Sequence, residues 1–159
     1  MSTLSEEYFC QKILPFLFRF LEDPCATVRR ETSRTFALLM NSSKELSPES
    51  LRVLDIKLRE LAVDTKYQCR LTALWIIETL LKERRQLSVE HWERLQWLAG
   101  DRIEGVVIGV CNLVSTELER GHAIPELFLL LDFIKRNKGR CVSRLYTHLK
   151  EQVKMKNKI

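Results

Sequence analysis

A recurring turn constrains this chain more than any other feature. Asp23 is followed five positions later by the small apolar residue Val28 and then by Arg29, and the pattern returns at Asp64, Cys69 and Arg70, 41 residues on. The correspondence continues along the following helices: Thr32, Ser33, Phe36, Leu39 and Met40 fall on Ala73, Leu74, Ile77, Leu80 and Leu81. Those spacings trace one face of a helix. A third copy starts at Asp101, with Val106, Val110, Cys111, Val114 and Leu118 on the same face and Val107 in place of the arginine. A fainter fourth starts at Asn137 and uses Val142, Leu145, Tyr146, Leu149 and Val153, with Ser143 in place of the arginine.

Each repeated helix is preceded by another amphipathic segment, at about residues 4–21, 48–63, 88–99 and 124–136. Starts are marked by Ser47-Pro48-Glu49-Ser50, by Ser88 with Glu90, and by Pro125 with Glu126: a capping hydroxyl or a proline comes before a carboxylate in the first turn. Breaks are expected at residues 41–47, 82–87 and 121–123. None has the length of an interdomain linker, so a single domain over residues 1–159 is expected, which also fits within a longer array. Only five glycines and four prolines occur, and local preference is for helix throughout.

These observations predict an all-α chain in which helix, short turn and helix repeat about four times. An isolated helix pair cannot bury its apolar face, whereas stacked neighbours share a continuous core, so the expected architecture is a short right-handed α-solenoid. A four-helix bundle or another eight-helix fold is the alternative, but neither requires the aspartate-to-arginine turn to recur.

The turn at Asp23, Val28 and Arg29, with Pro15 eight residues upstream of Asp23, resembles the HEAT repeat, whose first helix is often bent at a proline. The second unit keeps Asp64 and Arg70 and has Ile56 at the proline position. The resemblance to the HEAT and armadillo-like repeats implies a helical scaffold that binds other macromolecules. It further implies an architectural role for Asp23, Arg29, Asp64, Arg70 and Asp101, through hydrogen bonds between neighbouring units.

Composition narrows the setting. The net charge of +5, from 26 basic and 21 acidic residues, permits an acidic partner without the density of a dedicated nucleic-acid protein. Cys10, Cys25, Cys69, Cys111 and Cys141 are odd in number and form no CxxC, which points away from a disulfide framework and toward the cytoplasm or nucleus. The first residues lack the basic region of a secretory signal, and the apolar run at residues 103–114 is well short of the roughly 20 residues that cross a bilayer.

No convergent set of chemical groups stands out, so neither an enzyme nor a cofactor is expected. His91, His122 and His148 fall in three different units, and no cysteine has metal-ligand spacing. Phosphate-binding glycine loops and a nucleophile elbow are both absent from the sequence. Gly105 and Gly109 are expected to let the third unit approach a neighbour, and Trp75, Trp92 and Trp97 to fill the core.

Two candidate binding surfaces remain. The second helices collect basic residues, with Arg30 and Arg34 one turn apart, then Lys82, Arg84 and Arg85, and finally Arg140 and Arg144. Guanidinium groups in such a strip match carboxylates or phosphates, although Glu31, Glu78 and Glu83 interrupt it, and a solvated face is the competing reading. The basic tail from Lys150 to Lys158 is either a polyanion element or solvated terminal charge. The first helix carries more aromatic surface than one buried stripe needs, notably Phe16, Phe18 and Phe20. The expected function is a non-catalytic scaffold that binds a protein partner through the second-helix surface or this first helix. The alternative is a nucleic-acid-binding module held by phosphate contacts.

Overall fold

A computed structural model describes residues 5–42, 46–83, 87–121, 124–137, 151 and 154. Regular structure among them is entirely helical. The chain forms two compact units, Met1–Leu87 and Ser88–Ile159.

In the first unit, helix α1 runs through Glu6–Tyr8, a π-helical turn at Phe9–Ile13, and Leu14–Leu21. The widened turn has a local cause. Pro15 has no amide hydrogen, and its ring crowds the carbonyl one turn before it, so the helix opens just upstream and the Leu14 amide donates to the Phe9 carbonyl. Helix α2 is Ala26–Asn41, α3 is Pro48–Ala62 and α4 is Tyr67–Lys82. The expected start of α3 is present: Pro48 occupies the first turn, and Ser47 Oγ accepts the Ser50 amide at 3.2 Å.

The core of this unit takes Leu14, Leu17 and Leu21 from α1, Phe36 and Ala37 from α2, and Leu54, Leu58 and Leu61 from α3. Helix α4 contributes nine buried residues, including Ala73, Leu74, Ile76 and Ile77, and packs on both α2 and α3. An apolar surface that wide suits a central helix. The repeated face of α2 contains a serine, Ser33, which is fully buried because its hydroxyl donates to the Arg29 carbonyl at 2.7 Å.

The second unit contains α5, Val89–Ala99, α6, Glu104–Glu119, and α7, Pro125–Asn137. Ser88 caps α5 by accepting the His91 amide at 3.3 Å. Leu95 and Leu98 of α5, the run Val106, Val110, Cys111 and Val114 of α6, and Leu127 and Ile134 of α7 are buried. Gly121, just past α6, has φ +83°, a left-handed conformation that glycine adopts without a Cβ penalty. Apart from Glu151 and Lys154, which are helical, the helix expected beyond Asn137 lies outside the described residues, as do Arg84, Arg85, Arg140 and Arg144.

Two sequence expectations fail. Trp97 is 65% exposed on α5 and fills no core position, because Leu95, Leu98 and Ala99 occupy the buried side of that turn. Gly105 is exposed, and a Cβ placed on it would meet nothing within 4 Å, so no neighbour requires a glycine there.

Candidate partner-binding surfaces

The repeated turn has the same geometry at both of its complete copies. At the first, Asp23 Oδ1 accepts the Cys25 amide at 2.7 Å, while Arg29 Nη1 donates to the Asp23 and Pro24 carbonyls at 2.7 and 2.9 Å. At the second, Asp64 Oδ1 accepts the Lys66 amide at 2.7 Å, while Arg70 Nη1 donates to the Asp64 and Thr65 carbonyls at 2.7 and 3.1 Å. At the third, Asp101 Oδ1 accepts the Ile103 amide at 2.8 Å, and Val107 offers no guanidinium. Each aspartate thereby closes the turn entering its second helix, and each arginine ties down carbonyls that the turn leaves open.

The hydrogen bonds of Asp23 and Arg29 stay inside their own turn instead of crossing to the next pair, as the HEAT-like reading had expected of them. The reach of Arg29 to the next pair is aromatic: its guanidinium carbon lies 5.9 Å from the Trp75 ring of α4, and that of Arg30 lies 5.4 Å from the same ring. Trp75 is accordingly half-buried under two cations.

Of the expected basic strip, Arg30, Arg34 and Lys82 are among the described residues, and each has a neighbour on the protein. Arg29 and Arg70 are buried in the turns. Arg30 and Arg34 are exposed on α2, but Arg30 lies against Trp75, and Arg34 pairs with Glu31 at 2.8 Å. Lys82, exposed at the end of α4, pairs with Glu78 at 3.2 Å. Two of the interrupting glutamates, Glu31 and Glu78, thus sit within ion-pairing distance of the arginine and lysine on their own helices.

The aromatic helix behaves differently. Phe16 is 58% exposed and Phe20 48% exposed, one turn apart on α1, with Ile13, Lys12 and Arg19 also exposed on that helix. Phe18 turns inward: its ring is 6.2 Å from Phe36, and the Lys57 ammonium lies 5.5 Å over it. Lys57 also pairs with Glu22 at 3.2 Å. An apolar patch edged by cations results, on a helix held by the core through Leu14, Leu17 and Leu21.

The structure also brings together residues that the sequence separates. Glu22, Asp64 and Cys69 present potential ligand atoms within 4.8 Å of one another. Burial, with the nearby Asp64 and Glu22 carboxylates, pushes the Cys69 thiol above its ordinary value. Lys57 supplies positive charge to Glu22, and Asp64 is engaged by the Lys66 amide, so the group works as part of the fold. His91 is half-buried on α5; His122 and His148 lie outside the described residues.

In the second unit, α5 and α7 border a groove of about 370 Å³ that the sequence reading did not find. Its walls include Val89, Trp92, Leu129, Leu130 and Phe133, with Glu93, Gln96, Glu126 and Arg136 beside them. A signal was present in the unbroken apolar run from Leu127 to Leu131, which is too continuous for one helical face to bury.

Among the described residues no helix is long and apolar enough to cross a membrane. No protein-family model, curated protein or solved structure matches this chain.

Proposed function

We propose that the chain is a non-catalytic, HEAT-like helical scaffold that binds a protein partner through the exposed aromatic face of α1. The observation that carries this reading is the exposure of Phe16 and Phe20 on a helix whose opposite side is anchored in the core. Large apolar side chains flanked by Lys12 and Arg19 suit a partner surface that offers an apolar recess and carboxylates. Support for the repeat architecture comes from the matching turns at Asp23 and Asp64, with Asp101 repeating the aspartate part. Under this reading the aspartates and arginines shape the scaffold and make no contact with the partner.

The nucleic-acid alternative draws on the same positive charge but has less to use among the described residues. Arg34 and Lys82 already have carboxylate partners, and Arg29 and Arg70 are buried. Affinity capture of the full chain from cells tests the choice. A stoichiometric protein partner should be recovered with the parent and with Arg30→Glu plus Arg34→Glu, and lost with Phe16→Ser plus Phe20→Ser. Recovery that survives the phenylalanine pair overturns the proposed surface. Recovery of nucleic acid whose binding falls steeply with salt favours the alternative.

A further inference from the structure

The groove between α5 and α7 is lined by apolar and charged side chains, none of which belongs to α1. Among the described residues, Val89 is 74% exposed and Leu129 67%, the two highest exposures of any large hydrophobic side chain. Both border the same groove, whose floor includes Trp92, Leu130 and Phe133.

The charges are sorted along its length. Gly100, immediately after α5, lies against Phe133: a Cβ on it would be 3.6 Å from that ring. The end of α5 therefore meets the later half of α7, and because Val89 to Gln96 of α5 and Glu126 to Arg136 of α7 line the one groove, the two helices traverse it in the same direction. Glu93, in the first half of α5, consequently lies toward Glu126, in the first turn of α7, while Arg136 marks the opposite end. Glu126 and Arg136 are about 15 Å apart along the helix axis, or roughly three turns. None of Glu93, Glu126 and Arg136 forms an ion pair among the described residues. Their charges are available to a ligand.

We propose that this groove binds an amphipathic helical segment of a partner protein, of about three turns. Its large apolar residues would recur at helical spacing, with lysine or arginine at the end over Glu93 and Glu126. An apolar floor alone would accept any greasy surface. The two carboxylates select a basic one, because an acidic segment would bring like charges together as it lost water. This inference goes beyond the α1 reading and does not depend on it.

The test uses the full chain and a fluorescein-labelled helical peptide of about three turns, with leucines on one face, lysines at one end and uncharged residues elsewhere. A twin peptide carries glutamate at every lysine. Binding is followed by fluorescence anisotropy, and each variant is checked for helicity and melting temperature. The lysine peptide should bind at least about tenfold more tightly than its twin, and E93K/E126K should reverse that preference. Leu129→Ser, at an exposed position, should weaken the lysine peptide severalfold without loss of fold. Phe16→Ser plus Phe20→Ser should leave peptide binding unchanged, so failure here and failure of the α1 reading are separately visible.

Equal binding of the two peptides, or no response to E93K/E126K, overturns the proposal. So does absence of binding, or binding lost with the phenylalanine pair and kept with Leu129→Ser. Self-association that disappears with Leu129→Ser, without peptide binding, would assign the groove to a second copy of this chain and also overturn it.

Discussion

The Arg29 guanidinium carbon stands 5.9 Å from the centroid of the Trp75 ring, so the side chain that closes the turn before α2 also reaches α4. It does this while Nη1 holds the Asp23 and Pro24 carbonyls. Removing it should leave two part-buried carbonyls without this donor and take away one of the two cations over the indole. Arg29→Ala is expected to cost about 2–4 kcal/mol of stability, since a hydrogen bond from a charged donor is worth about 1.5–3 kcal/mol. Arg70→Ala should cost a similar amount, because Arg70 makes the same pair of bonds. Urea unfolding of both variants checks this; a loss below about 1 kcal/mol in either would show that the turn does not need its arginine.

Glu6 ties the start of α1 to the start of α3. Its carboxylate accepts the Ser47 amide at 2.8 Å and the Ser50 hydroxyl, and the Ser47 side chain, then the Ser50 side chain and the Ser47 amide, hold its pKa below the ordinary 4.5. For a carboxyl with a depressed folded pKa, the stabilisation is complete above the unfolded value and disappears as pH falls through the folded one. Glu6→Ala should therefore lower the melting temperature at neutral pH, with the gap to the parent closing below about pH 4.5. Thermal melts between neutral and strongly acidic pH measure it, and a gap that persists unchanged in acid would contradict the assignment.

The cysteines differ in reactivity for reasons visible in their surroundings. Cys25 is exposed just before α2, where the Val28 and Thr27 amides favour its thiolate and bring its pKa down. Burial pushes the Cys111 thiol up to about 11 and holds Cys69 above its ordinary value. With limiting iodoacetamide at neutral pH, peptide mapping should find Cys25 modified while Cys69 and Cys111 stay unmodified until the protein is unfolded. Early modification of Cys111 would mean that α6 is not packed as described.

The exposed phenylalanines should contribute little to folding. Phe16→Ser plus Phe20→Ser is expected to change stability by less than about 1 kcal/mol, since neither ring is buried, whereas Phe36→Ala removes a fully buried ring at about 3–5 kcal/mol. Parallel melts of the two variants separate a binding surface from a core. A collapse of the fold in the double variant would place those rings in the core.

Helix boundaries were legible because their signals are local. Pro48, Ser88 and Pro125 mark starts that need no tertiary contact, and the turns at Asp23, Asp64 and Asp101 engage amides two residues away. The fate of the arginines was harder to read. A basic residue in a helix looks the same in sequence whether it faces solvent, as Arg34 does, or folds back onto its own turn, as Arg29 does. Pro15 announced a disturbance in α1, but the resulting π-helical turn depends on how the widened backbone finds new acceptors. Trp97 and Leu129 were unreadable for a different reason: period alone does not say which of several apolar stripes a helix buries, and on α5 and α7 more apolar residues are present than one face can hold.

The most direct test of the α1 surface is hydroxyl-radical footprinting of the full chain, alone and bound to the partner recovered by affinity capture. Oxidation of Phe16 and Phe20 should fall severalfold in the complex while exposed Leu38 and Tyr67 stay as reactive as in the free chain. Unchanged oxidation of both phenylalanines, with protection appearing instead around Arg30 and Arg34, would contradict the account.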